Sequence, residues 1–134
     1  MKKSTVFVCT VLLLSVLPLG ILSTATATPI QHTISVDSNQ YQHVSLGQIT
    51  AGEELVIEFN VDEDIDVLLL DQQQYTSWTT GGTAHIASGS DYADDSDEYV
   101  FTVLNSDTYH LIFDNSGQAG EAASTGTTVT GDAT

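Results

Sequence analysis

Five carboxylates stand close together in the stretch NVDEDIDVLLLD, from Asn60 to Asp71, and no basic residue balances them. A second acidic stretch, SGSDYADDSDE, follows between Ser88 and Glu98. Calcium is a hard cation that takes about 6–8 oxygen ligands, mostly from carboxylates and carbonyls. The chemistry that these residue types suggest is a calcium site bridging the two stretches, with ligands drawn from Asp62, Asp64, Asp66, Asp94, Asp95 and Asp97.

A solvated acidic turn is the alternative, and we favour it over calcium. Asp62 and Asp64 fall between two strand-like segments, where Asp favours a turn, and Asp66 is predicted on the solvent side of the next strand. No glycine follows in the manner of an EF-hand loop. We therefore expect no required cofactor, with calcium kept as the alternative.

Two aromatic residues are the predicted recognition residues. Tyr75 and Trp78 lie in QQQYTSWTTGG, after an apolar strand and before a Gly-Gly loop. Exposed aromatic rings there would stack on a sugar or fill a pocket of a partner protein. The alternative, which we favour for Trp78, is that the ring closes one end of the hydrophobic core.

Catalytic motifs are absent from the sequence. It contains no G-x-S-x-G, no H-E-x-x-H and no glycine-rich phosphate loop. The histidines are scattered, although His110 and Asp114 share one face of the last predicted strand and, with His43, would supply part of a transition-metal site. We expect instead that these histidines are solvent-exposed on their strands and bind no metal. We predict that the protein is not an enzyme.

Charge is distributed in an unusual way along the chain. It has 18 Asp and Glu but only two basic residues, Lys2 and Lys3, so everything after them is purely acidic. A nucleic acid partner is excluded because nothing would neutralise its phosphates. At about 1 M salt the Debye length falls to about 3 Å, so carboxylates repel one another little. We expect a halophile, most simply a haloarchaeon, as the source.

The N-terminal residues 1–27 have the features of a secretory signal peptide. Lys2 and Lys3 precede an apolar run that Pro18 and Gly20 interrupt, and an A-x-A site ends at Ala27. Retention as a membrane anchor stays open as the alternative. The only cysteine, Cys9, lies within this segment, so no disulfide is expected. We predict an extracellular or surface-associated protein without a stable membrane span after cleavage.

The remaining 107 residues suit one domain with a single core. Alternating apolar residues predict short strands, and Leu68 and Leu70 make the second face of one strand apolar, so that strand is expected to be central. The pattern predicts an all-β fold, an antiparallel β-sandwich or jelly roll of about seven to eight strands. The domain is assigned to residues 28–116, Ser88–Glu98 is expected to be an acidic loop or weak edge strand, and residues 117–134 are expected to be a flexible acidic Ser/Thr/Gly-rich tail.

Three stretches of the sequence resemble one known family. DIDVLLLD, the following QYTSW and the closing YHLIFDNS are similar to motifs of the GOLD (Golgi dynamics) β-sandwich and its prokaryotic secreted relatives. The matching positions are Asp64, Asp66, Val67, Tyr109, Leu111, Phe113, Asn115 and Ser116. The resemblance implies a protein-binding or cargo-binding module rather than a catalyst.

Together these observations predict a secreted, non-catalytic interaction module that binds a protein or glycan at the cell surface. The alternative is a calcium-stabilised structural or adhesive module of the cell envelope. The sequence does not identify the ligand.

Overall fold

The computed structural model describes residues 29–119, 122 and 124–134. The predicted signal peptide therefore lies outside the described residues. Within them the chain forms six strands, one short α-helix and one 3₁₀ turn: β1 (His32–Val36), β2 (Tyr41–Ile49), β3 (Glu54–Asp71), α1 (Gln72–Trp78), the 3₁₀ turn (Ala87–Gly89), β4 (Asp91–Thr102), β5 (Asp107–Asp114) and β6 (Val129–Ala133).

All strand pairings are antiparallel, and they join the six strands into one curled sheet. The order is β1-β6-β3-β5-β2, and β4 lies on the other edge of β3. The prediction of an all-β fold is confirmed at this level. No helix among the described residues has the length and apolar character needed to cross a membrane.

The long strand β3 organises the curl because its two halves have different partners. Phe59 to Val61 pair with β6, whereas Asp66 to Asp71 pair with β5. β4 follows β3 along both halves, with register shifts between Asn60 and Val67. Such irregularities bend a strand and increase its twist. The sheet therefore turns back on itself around one side, which becomes the interior.

The interior contains the larger of two hydrophobic clusters. Alternating residues of β3 point into it, and Ile57, Phe59 and Val61 are almost fully buried. Its other buried members include Ile34, Val36, Val44, Phe101, Tyr109, Leu111, Phe113 and Val129. Burial of this apolar surface is the main favourable contribution to folding.

A smaller cluster lies on the outer face of the sheet, under α1. It consists of Leu68 and Leu70 from β3, Ile112 from β5 and Trp78 from the helix. Both faces of this half of β3 are buried, which confirms the prediction that Leu68 and Leu70 belong to a central strand.

Helix α1 begins with a capping box, which the sequence interpretation overlooked. The Asp71 side chain accepts a hydrogen bond from Gln74 N at 2.8 Å, and the Gln74 side chain accepts one from Asp71 N at 3.1 Å. This reciprocal arrangement satisfies two backbone donors at a helix start. The helix directs Tyr75 and Trp78 back over the outer face.

The prediction of a flexible tail over residues 117–134 is corrected by the structure. Val129–Ala133 form β6, which pairs with β1 on one side and with β3 on the other. Gly131 lies so close to β3 that an added Cβ would be 2.0 Å from Asn60 O, so the glycine is a packing requirement. The fold therefore extends beyond the predicted boundary at Ser116.

Candidate functional site

An apolar cleft opens beside the part of β3 that no described strand pairs on one edge. Two backbone hydrogen bonds join Glu58 and Thr134, from Glu58 N to Thr134 O at 3.0 Å and from Thr134 N to Glu58 O at 2.8 Å. Beyond this point no described residue pairs with residues 54–57 of β3 on that edge. The cleft that results has a volume of about 510 Å³, within the usual range for binding pockets.

The cleft has the form of a slot in line with β6. Because β1 pairs with the opposite edge of β6 and His32 faces Ala133, Pro29 and Ile30 extend past the last residue of β6. One side of the slot is therefore the extension of β1, and the other side is the free edge of β3. Where β6 lies between them, at Ala133, β1 and β3 are separated by one strand, and adjacent strands lie about 4.8 Å apart.

Strand alternation decides which backbone groups face the slot. Since the amide and carbonyl of Glu58 point toward β6, those of Val56 and Glu54 point the same way, and those of Leu55 and Ile57 point toward β4. Two bonds on the β4 side fit this alternation: Gly52 N donates to Val103 O, and Val103 N donates to Glu53 O. The slot is thus bordered by unpaired backbone donors and acceptors.

The floor of the slot is apolar because it is the inner face of two other strands. β2 contributes Val44 and Leu46, and β5 contributes Leu111 and Phe113. Val44, Leu111 and Phe113 are buried, while Leu46 is partly buried against the same interior cluster. The exposed side chain of Ile30, 64% accessible, extends the apolar surface at the entrance.

Carboxylates border the slot on its outer side. Glu54 and Glu58 line it and are exposed, and His32 lies at the β1 side. The described residues contain no Lys or Arg. An anionic ligand would therefore meet like charge, whereas a neutral or cationic one would not.

The predicted recognition residues Tyr75 and Trp78 are not part of this cleft. Trp78 is only 1% exposed and packs with Leu68 and Leu70, so its placement supports a core role and not surface contact. Its ring meets the Tyr41 ring edge-on, with centroids 5.8 Å apart. The binding role proposed for Trp78 is corrected, because a buried indole offers no surface to a partner.

Tyr75 is half-buried and contacts His43 and His110, and the expectation that the strand histidines are exposed is wrong for His110, which is buried. The Tyr75 ring stacks on those of His43 and His110, with centroid distances of 4.3 and 4.2 Å. His43 Nε2 and His110 Nδ1 are 2.9 Å apart, Tyr75 Oη is 3.2 Å from His43 Nδ1, and His110 Nε2 is 3.1 Å from Gln72 Oε1. The four side chains form one hydrogen-bonded chain across the outer cluster.

The hydrogen-bonded chain is satisfied when both histidines are neutral. His110 Nε2–H donates to Gln72, His43 Nε2–H donates to His110 Nδ1, and the Tyr75 hydroxyl donates to His43 Nδ1. Burial lowers the pKa of both histidines; His110 lowers that of His43 further, while Asp107 opposes the effect at His110. The predicted metal partner Asp114 bonds elsewhere, to Ser116 and Ala119.

The acids of the predicted calcium site are held separately. Asp66 was predicted on the solvent side, but it is fully buried and accepts hydrogen bonds from Ala93 N and Ala122 N at 2.9 to 3.0 Å. Asp62 accepts from Thr130 N and Oγ1 at 2.8 Å, and these bonds lower its pKa. The hydrogen bond from the backbone amide of Thr130 is the larger cause of the lowered pKa of Asp62.

The other four predicted ligands make only local contacts or lie exposed. Asp64 is exposed, and Asp94, Asp95 and Asp97 accept hydrogen bonds from residues one or two positions further along β4. No group of three or more His, Cys, Asp or Glu placed to hold a metal occurs among the described residues. Of the two alternatives expected for Ser88–Glu98, a loop or a weak edge strand, the edge strand applies from Asp91 onward, since β4 begins there and pairs only with β3 in the described part of the chain.

Compared with known proteins, the chain matches no protein-family model and no curated protein sequence.

Proposed function

We propose that this chain is a secreted, non-catalytic interaction module that holds an apolar segment of a partner protein in its cleft, at the cell surface. The observation that carries the proposal is the cleft itself, in which exposed Ile30 and the partly buried Leu46 and Leu55 border a strand edge that no described residue pairs, above a floor of buried apolar residues such as Phe113. Exposed apolar surface of this kind is typical of interaction sites.

The fold and family that we propose agree with this function. We infer that the two halves of the curled sheet act as the two layers of a β-sandwich, with β3 and β4 shared between them. A GOLD-like interaction domain, as implied by the motifs around Asp66 and Asn115, is an architecture of that kind. The resemblance of these motifs to GOLD domains therefore supports binding rather than catalysis.

A protein segment suits the cleft better than a glycan. Sugar hydroxyls that entered the apolar floor would lose hydrogen bonds to water without new partners, which costs free energy. Apolar side chains lose nothing of this kind and gain about 25 cal/mol for each Å² that they bury. The slot therefore favours Val, Ile, Leu or Phe side chains.

A peptide array tests this function with matched variants. Ile30→Asp places a charge at the cleft entrance, and Leu104→Asp places the same charge at another exposed leucine, 74% accessible and outside the cleft. We expect the parent and Leu104→Asp to bind the same set of apolar peptides and Ile30→Asp to lose them. Binding that is equal in all three proteins, or absent in the parent, would overturn the proposal.

A further inference from the structure

Residues 54–57 of β3 have one edge that no described residue pairs, and its backbone groups are of the kind to which a further strand bonds. Glu54 and Val56 direct their amide and carbonyl groups into the slot, as Glu58 directs its own toward Thr134. Four residues of an extended chain cover about 13 Å at about 3.3 Å per residue, which matches the unpaired stretch 54–57. Strand addition at a sheet edge is a common way of binding extended peptides.

We infer that the slot binds an extended partner segment as an added antiparallel or parallel strand of alternating apolar and basic residues. The inference rests on the proposed function, and it specifies the partner and the way in which it binds. Side chains alternate across a strand. One set would therefore point inward to Leu46, Leu111 and Phe113, and the other would lie on the outer face beside Glu54 and Glu58.

Charge decides between the possible occupants of the slot. The outer set of side chains lies next to two exposed carboxylates, and opposite charges on adjacent strands stabilise a sheet while like charges oppose it. The described strands of a second copy of this chain would bring only acidic or neutral side chains, because the described residues contain no Lys or Arg. A fatty acid would bring a carboxylate to the same rim. A basic partner segment is the occupant that both the apolar floor and the acidic rim favour.

Two opposed valines allow a strict test of the backbone contribution. Val56 and Val100 face each other on β3 and β4 and are similarly exposed, 57% and 56%. The bond from Val103 N to Glu53 O and the β3–β4 register imply that Leu55 and Ile57 form the hydrogen-bonded pairs of this ladder, so the amides of Val56 and Val100 point away from it. Proline removes the amide hydrogen at either position. Only at Val56 does that hydrogen point into the slot.

The experiment measures the affinity of the hexapeptide Lys-Val-Lys-Val-Lys-Val by calorimetry or anisotropy. The work uses the lowest salt concentration at which the parent remains folded. Two further peptides serve as probes: the acidic twin Glu-Val-Glu-Val-Glu-Val and the block peptide Lys-Lys-Lys-Val-Val-Val, which keeps the composition and removes the alternation. Folding of each variant is checked by circular dichroism.

We expect Val56→Pro to weaken binding of the alternating basic peptide by about tenfold or more, as loss of a backbone hydrogen bond at a close-fitting edge implies. Val100→Pro should bind like the parent. The acidic and block peptides should bind at least about tenfold more weakly than the basic one, and Glu54→Gln with Glu58→Gln should reduce the difference between the basic and acidic peptides.

Several results would overturn this inference while leaving the proposed function intact. Equal loss in Val56→Pro and Val100→Pro, or none in either, would show that the peptide is not held as a strand. Equal binding of the three peptides would remove the alternation and charge arguments. Self-association that Val56→Pro abolishes would assign the slot to a second copy of the chain. Loss of every peptide only in Ile30→Asp would leave an apolar cleft without strand addition.

Discussion

Asp66 and Asp114 lie opposite each other on β3 and β5, and both are fully buried. Each carboxylate accepts backbone hydrogen bonds from the segment that follows β5: Asp66 from Ala122 N, and Asp114 from Ser116 N and Ala119 N. Buried carboxylates are tolerated where donors surround them. These acids therefore attach the C-terminal segment to the sheet.

The first prediction concerns Asp66, which bonds to Ala93 N as well as to Ala122 N. Asp66→Ala should lower the free energy of unfolding by about 3 kcal/mol, because two backbone amides lose their buried acceptor. Asp64→Ala removes an exposed acid of the same strand and should change stability by about 0.5 kcal/mol or less. Urea unfolding in molar KCl measures both. Equal effects of the two substitutions would refute the anchoring role.

The second prediction concerns Trp78, which lies in the outer cluster at 1% exposure. Trp78→Ala should cost about 3–5 kcal/mol through lost burial and the remaining cavity. The indole Nε1 is buried without a hydrogen-bond partner in the described structure, so Trp78→Phe loses no hydrogen bond and should cost less than half as much. Thermal melts in molar salt provide the comparison. An alanine variant that melts like the parent would show that Trp78 is not part of the core.

The third prediction is a loss of stability in mild acid, caused by His43 and His110. Their pKa values are lower in the folded protein than the ordinary value of about 6.5. The unfolded chain therefore binds more protons as the pH falls below about 6.5, and stability declines until the pH lies below the lowered values. The groups facing the pair are Tyr75 and Gln72 from α1 and Asp107 from β5.

Urea unfolding between pH 8 and pH 5.5 measures the acid effect. His43→Gln should flatten the dependence of stability on pH across this interval, because it removes one titrating ring and its contact with the other. His32→Gln changes a histidine that lies outside the hydrogen-bonded chain and should leave the dependence as in the parent. The account is wrong on this point if both variants follow the parent curve.

The fourth prediction concerns salt. All 18 acids follow the predicted signal peptide, with no basic residue among them, so dilution restores repulsion that molar salt screens. We expect the domain to lose β-structure in low-salt buffer and to regain it in molar NaCl or KCl, as followed by circular dichroism. A calcium chelator in molar salt should leave the melting temperature unchanged. A melt independent of salt would contradict the halophile interpretation, and a fall with chelator would favour the calcium alternative.

Sequence patterns predicted the parts of the fold in which alternation is strong. The apolar double face at Leu68 and Leu70 marked the central half of β3. The acidic run of β4 has the composition of an edge strand, and it forms one. In these places local composition and tertiary position impose the same pattern.

Other features depend on distant contacts that no local pattern reveals. β6 has the sequence VTGDA, with one β-branched apolar residue, and it forms because β1 and β3 pair with it and Asp62 bonds to Thr130. α1 is an exception in part: its seven residues are too few for a clear helical pattern, but the capping box of Asp71 and Gln74 is a local signal of its start. The cleft lies beside residues 54–57 of β3, which no described residue pairs on that edge, and its position depends on where β6 meets β3.

The most direct measurement is an NMR titration of the folded protein in molar salt with an apolar peptide selected from the array. The account predicts that the largest amide shifts occur at cleft residues, with Val44, Leu46 and Val56 foremost, and that Val100 and Leu104 on the outside change little. Shifts centred on the face of Tyr75 and His43, or on the acidic strand β4, with the cleft unchanged, would contradict the claim that the cleft is the binding surface.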